Sequence, residues 1–171
     1  PVRSTKKARD RYPAMDDRYK CITIIETALE DIDSTKLEMP VDYIFHCACV
    51  TSSFTMITQP VEVADGIVIG TRNMLKLALK KKIKSMVYLS SMEVYGKIKG
   101  DNTLVTEDML GDIDIYSKRS CYPMAKRMAE HYCYSYYKEY ELPVKIARLA
   151  QTFGYGVDFE DSRVFAQFAK A

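Results

Sequence analysis

The sequence predicts an α/β fold in which parallel strands alternate with helices. Three observations carry the prediction. Apolar runs of strand length stand at residues 41–50, 86–89 and 144–149. Two longer stretches, residues 61–82 and 118–139, lie between those runs and repeat apolar positions at helical spacing. Strand–helix–strand order demands crossover connections, which make the strands parallel and the crossovers right-handed.

In chain order, residues 1–20 read as a polar helical segment carrying Lys6, Lys7, Arg9, Asp10 and Arg11. Residues 41–50 are mostly apolar, as expected of a parallel strand buried on both faces. Within 61–82, Val68, Leu75 and Leu79 recur at helical spacing, and Lys80, Lys81 and Lys82 form a solvated last turn favoured by the helix dipole. Residues 86–89 are the next strand. Ser90 and Ser91 stand at its C-terminal end, where open α/β sheets bind ligands. A polar loop covers 97–115, the second long helix spans 118–139, and residues 144–149 give another strand. Gly154 and Gly156 mark a turn, and 161–171 is a final helix.

Composition bounds the function. With 171 residues, 47% of them hydrophobic, the chain can bury one core, so residues 1–171 are expected to form a single domain. A net charge of +2 argues against nucleic acid as a partner, and the lysine cluster at 80–82 is better explained as a helix end. No apolar run approaches the length of a membrane span, and the basic start is not a signal peptide. The five cysteines (21, 47, 49, 121 and 133) are odd in number and contain no Cys-x-x-Cys, so reduced thiols in a cytoplasmic setting are expected. With only His46 and His131, neither a metal site nor a serine–histidine triad has much to draw on.

The chemistry concentrates in residues 90–96 and 120–127. A hydroxyl at a strand end, Ser91, is joined there by Tyr122 and Lys126, which are four residues apart and so share a helix face. A tyrosine acting as a base at neutral pH must have its pKa lowered by about three units, or roughly 4 kcal/mol of phenolate stabilisation. An ammonium about 4 Å away supplies energy of that order at an effective dielectric near 20. Ser91 would hydrogen-bond the alcohol being deprotonated and steady its alkoxide. Pro123 is compatible with a helix that Ser120 caps, because first-turn amides lack intrahelical partners. Tyr-x-x-x-Lys occurs three times among 13 tyrosines, so spacing alone is weak. Tyr95/Lys99 falls in a glycine-containing loop and Tyr134/Lys138 lies further along the helix; both read as solvated or packing pairs.

These residues resemble the NAD-dependent epimerase/dehydratase family, extended short-chain dehydrogenase/reductases that act on nucleotide sugars. The resemblance runs from about Val41 to the end of the chain. His46-Cys47-Ala48 resembles the family's strand end beside the cofactor, and Gly70-Thr71-Arg72-Asn73-Met74-Leu75 its Gly-Thr-x-Asn helix segment. Residues 91–96 resemble the catalytic Ser/Thr strand end, Tyr122 with Lys126 the Tyr/Lys pair, and 147–154 the strand leading into the substrate-binding region. The resemblance implies a doubly wound Rossmann-like parallel sheet that is incomplete at both ends, with 151–171 as the start of the substrate-binding part. It implies NAD as cofactor, held by His46, Cys47, Ala48, Ser90, Tyr122, Lys126 and Leu149. It implies a nucleotide-sugar substrate met by Ser91, Met92, Glu93, Gln151, Thr152 and Phe153. Ser91, Glu93, Tyr122 and Lys126 would be the catalytic residues, with no metal. In the shared reaction the sugar C4 hydroxyl becomes a ketone while hydride is stored on NAD. The resemblance also implies a homodimer in which two long helices pack across the interface, the tyrosine-rich 118–139 helix among them.

The branch is set by departures. Dehydratases of the family carry Asp-Glu where this chain has Met92-Glu93, which deprives a leaving hydroxyl of its acid. Residues 120–122 with Lys126, Arg127, Glu130 and Glu93 resemble UDP-glucuronate decarboxylases, although Pro123-Met124-Ala125 departs from them. Epimerases need little beyond Ser, Tyr and Lys. The residues place epimerisation first, decarboxylation second and dehydration third. A non-catalytic Rossmann-like binding module is the alternative from another class; relatives of that kind lose the Tyr or the Lys, and both are present here. The family's Asn falls on Ile67, its adenine-contacting Asp near Ala28, its Pro after Phe-Gly on Tyr155, and its preceding Asn on Gln151. No Gly-x-x-Gly-x-x-Gly occurs, and the first of the seven glycines is Gly66. A chain without that phosphate-cradling turn reads as a fragment expected to bind NAD poorly.

Overall fold

The structure is a computed structural model that describes residues 2, 4–12, 21–32, 37–100, 104–152 and 166–168. Three strands, β1 (Tyr43–His46), β2 (Ser85–Ser91) and β3 (Val144–Leu149), form one parallel sheet in the order β1-β2-β3. The α-helices with full bounds among the described residues are α1 (Thr5–Arg11), α2 (Ser53–Thr58), α3 (Pro60–Lys81) and α4 (Cys121–Tyr140). Helices α3 and α4 are the crossovers β1–β2 and β2–β3, and they pack against each other. The architecture is Rossmann-like α/β, as the alternation predicts.

Helix α3 starts with Pro60 in its first turn, beside Glu62, and ends with Lys80 and Lys81. These are the signatures that complement a helix dipole at each end. Its buried residues include Val63, Ile67, Thr71, Met74, Leu75 and Ala78, a stripe at three- and four-residue spacing. Ile67, at the position of the family's Asn, is therefore a core residue. Helix α4 buries Tyr122, Ala125, Lys126, Ala129, Glu130 and Cys133 on the corresponding stripe. The Tyr and Lys of interest thus ride on the packing face of α4, which fixes their direction. Both long helices close on a left-handed residue, Lys82 and Glu141.

In β1 only Ile44 and His46 are buried, whereas Tyr43 and Phe45 are exposed. The expectation of burial on both faces is corrected here, because no described element covers the face bearing those rings. The strand is also shorter than the apolar run that predicts it, ending at His46. Register sets Ser91 of β2 beside Leu149 of β3 and His46 beside Tyr88. Ser120 occupies the N-cap position of α4, but its side chain makes no capping hydrogen bond. A short 3-10 turn, Lys118–Ser120, leads into the helix instead. Phe153, Gly154 and Gly156 lie outside the described residues, as does most of the predicted final helix, of which residues 166–168 are helical.

Candidate active site

The strand ends open on a cleft of about 380 Å³. Its walls include Cys47, Ser90, Ser91, Met92, Glu93, Tyr122, Lys126, Leu149, Gln151 and Thr152. Four segments distant in sequence supply these groups: the ends of β1, β2 and β3, and the first turns of α4. Ser91 is the last residue of β2, and its hydroxyl accepts a hydrogen bond from the Glu93 amide at 3.2 Å. That bond starts the 3-10 turn Met92–Tyr95 and leaves the Ser91 O–H free to donate elsewhere. Ser91 is also one of the neighbours that pull the Tyr122 phenol's pKa down.

The net direction for Tyr122 is nevertheless upward. Burial raises its pKa first, the neighbouring Cys49 and Glu93 add to the rise, and Ser91 and Arg119 oppose it. The spacing argument assigns the lowering of this pKa to Lys126, and the structure corrects that assignment for the protein alone. Lys126 is only 3% exposed, its Nζ donates to the Leu89 carbonyl at 2.7 Å, and it sits 5.8 Å from the Tyr122 ring centroid. Burial lowers its own pKa, while Cys49 and Glu130 pull the other way. Lys126 also lies 4.8 Å from the Tyr88 ring centroid, a cation–π contact that helps hold a buried ammonium.

Glu93 is in a two-pronged pair with Arg119: Nη1 donates to Oε2 at 2.9 Å and Nη2 to Oε1 at 2.8 Å. Arg119 also lies 5.8 Å from the Tyr122 ring centroid. Arg119 is not among the residues the sequence points to; its place directly before Ser120-Cys121-Tyr122 was the available signal. Cys49, which shares the cleft, is likewise outside the sequence expectation. Its thiol donates to the Val50 carbonyl at 3.3 Å, and burial pushes its pKa up against the pull of Lys126 and Tyr122.

Two of the expected cofactor residues lie elsewhere. Ala48 lines a neighbouring cavity of about 240 Å³, which shares Cys49 with the cleft and is bounded by Val2, Thr27, Leu29 and Gly66. His46 lines neither cavity. Its side chain points under the sheet, where Nε2 lies 3.0 Å from Thr71 Oγ1, and burial followed by the charge on Lys126 takes its pKa down to about 4. A neutral imidazole packed in the core is the outcome. In the other Tyr/Lys pairs the lysines are exposed: Lys99 pairs with Asp112 at 2.7 Å, and Lys138 lies 5.6 Å from the Tyr134 ring centroid.

Fold and cleft define a Rossmann-like α/β domain in which a strand-end serine meets a tyrosine and a lysine of the following helix. The chain belongs to the NAD dependent epimerase/dehydratase family, whose family model matches residues 2–171. It is 36% identical over 136 residues to UDP-glucuronic acid decarboxylase 6 of Arabidopsis thaliana, a match covering 77% of this chain and 38% of that protein. It is 35% identical over 134 residues to UDP-glucuronic acid decarboxylase 1 of Danio rerio, covering 77% of the chain and 31% of the relative. The matches thus span well under half the length of these relatives. Among solved structures, a UDP-N-acetylglucosamine 4-epimerase of Methanobrevibacter ruminantium superposes with a TM-score of 0.77 at 24% identity, over 92% of this chain and 49% of that one. A dTDP-glucose 4,6-dehydratase of Streptomyces venezuelae with NAD bound gives 0.74 at 23% identity, over 96% and 48%. These last two likenesses speak to the fold.

NAD is the cofactor of the family. The residues present suit such a group: the Ser90 hydroxyl is buried without a partner among the described residues, in a residue that lines the cleft. Lys126 keeps ammonium protons beyond the one given to Leu89. No helix among the described residues is long and apolar enough to cross a membrane.

Proposed function

We propose that the protein carrying this chain oxidises C4 of a nucleotide-linked hexuronate and then releases its carboxylate as carbon dioxide. The observation that carries the proposal is the meeting of Ser91, Tyr122 and Lys126 at one strand end. Tyr122 takes the proton from the C4 hydroxyl, which Ser91 holds with the hydrogen it has left to donate. Lys126 anchors the cofactor side of the cleft, together with Cys47, Ser90 and Leu149. When bound, NAD supplies the hydride acceptor at C4 and a positive ring that favours the phenolate. The phenol is well protected as an acid in the free protein, since burial holds its pKa up. Cofactor and substrate are therefore needed to make it a base.

The relatives' names support decarboxylation over epimerisation, which the residues alone place first, and the chemistry at Met92 supports it over dehydration. The relatives at 34–36% identity bear decarboxylase names. A C4 ketone is β to the C6 carboxylate, so loss of carbon dioxide needs no leaving hydroxyl and no acid at position 92. Met92 lines the cleft there and offers none. The homodimer belongs to the same proposal, supported by the exposed rings of Tyr134, Tyr137 and Tyr140 on α4. So does a cytoplasmic setting, supported by five unbridged cysteines.

The test is full-length protein with NAD and UDP-glucuronate, with products read by mass and NMR, alongside Tyr122→Phe. Release of carbon dioxide and a pentose product is expected. The Phe variant should lose at least several hundredfold in turnover, about 4 kcal/mol of barrier, while keeping substrate affinity. Undiminished turnover in the variant would remove Tyr122 from the chemistry. A C4 epimer without carbon dioxide would return the reaction to epimerisation.

A further inference from the structure

The cleft contains a second cation to which the proposed chemistry gives no task. Arg119 lines the same wall as Ser91 and Tyr122, and about a third of its side chain is exposed. Its guanidinium gives one N–H from each terminal nitrogen to Glu93. Of the five N–H groups of an arginine, that fork leaves the Nε–H and the outer pair without a protein partner among the described residues. Lys126, the other described cation of the cleft, is buried and already donates to the Leu89 carbonyl. An anionic group next to the atom that Tyr122 deprotonates therefore finds Arg119 as its available partner.

We propose that Arg119 recognises the sugar carboxylate and makes the site selective for uronic acids over neutral hexoses, with Glu93 as the residue that positions its guanidinium. The inference rests on the nucleotide-sugar reading above and names the feature of the substrate that this site selects. In a hexuronate the carboxyl carbon is attached to C5, directly beside C4, so it falls within the neighbourhood of the Tyr122 ring over which Arg119 lies. The guanidinium can take a second carboxylate along its side edge while its end stays on Glu93. Sharing also suits the chemistry. In the step that follows oxidation, the C5–C6 bond breaks, its electron pair passes into the C4 ketone as an enolate, and the carboxylate leaves as neutral carbon dioxide. A fully dedicated cation would stabilise the carboxylate against leaving; one half-neutralised by Glu93 holds it more weakly.

The test is calorimetric titration of the NAD-loaded, full-length protein with UDP-glucuronate and UDP-glucose, which differ at C6. Arg119→Met should lose about ten- to a hundredfold in affinity for the glucuronate, the range of a charge-assisted hydrogen-bond pair, and stay within about twofold for UDP-glucose. Arg119→Lys, which keeps the charge without the fork, should recover part of the loss. Equal weakening for both sugars would reduce Arg119 to a structural residue and overturn the proposal, as would unchanged affinity for both. If the wild type releases no carbon dioxide but Arg119→Met still loses the glucuronate selectively, the decarboxylase reading fails and the role of Arg119 stands.

Discussion

Acidification from pH 7 to pH 5 is expected to destabilise the fold through His46, a residue outside the cleft. The imidazole is buried, bonded through Nε2 to Thr71, and held near pKa 4 by burial and then by the charge on Lys126. Unfolding returns it to about 6.5, so the unfolded state binds one more proton than the folded state between those values. Stability contributed by the neutral ring is present above about pH 6.5 and is lost as pH falls toward 4. The full difference of about 2.5 units corresponds to about 3 kcal/mol, and the part lost between pH 7 and 5 to about 2 kcal/mol. His46→Gln removes the titrating group while keeping an amide that can meet Thr71. Urea unfolding followed by circular dichroism at pH 7, 6 and 5 gives both stability curves. The variant should be less stable than wild type at pH 7, and the gap should narrow by about 2 kcal/mol at pH 5. Parallel curves would show that His46 titrates in the fold as it does in the unfolded chain, which would refute its burial.

Arg148→Met should cost about 3 kcal/mol in urea unfolding, because Glu130 is left nearly buried without its partner. Adding Glu130→Gln should return part of that; full stability in the single variant would mean that the pair is solvated. Gly96→Ala should cost about 1–3 kcal/mol, since its φ is +65° and a Cβ would stand 2.7 Å from the Asp112 carbonyl oxygen. A melting temperature equal to wild type would sink that argument. Tyr134→Glu with Tyr137→Glu should turn a dimer into a monomer in sedimentation velocity, whereas a monomeric wild type would end the proposal that α4 forms the interface.

Much of the framework was legible in the residues, because local periodicity encodes what an element buries. The apolar run at 144–149 became β3 without adjustment, and the stripe in 61–82 became α3 to within a residue at each end. Tyr122 and Lys126 could be picked from three similarly spaced pairs because α4 turns both toward the sheet, while Lys99 and Lys138 stay exposed with surface partners. Spacing could not reveal where the Lys126 amine ends, since its acceptor is the Leu89 carbonyl on another element. Nor could the His-x-Ala pattern show that the His46 side chain turns under the sheet. That follows from the alternation of a strand whose buried residues are Ile44 and His46.

What the sequence by itself determined is the set of elements, their order and the chemical kinds of group at the strand ends. Those depend on repeat distances of two and about four residues, which are properties of contiguous chain. Only the tertiary structure decided the pairings: Glu93 with Arg119, Glu130 with Arg148 and the Tyr95 ring, and His46 with Thr71. Their partners lie many positions apart and follow no period. Each is drawn together because burial on a packed face leaves a charge or a hydrogen-bonding atom that must find a counterpart within about 3 Å.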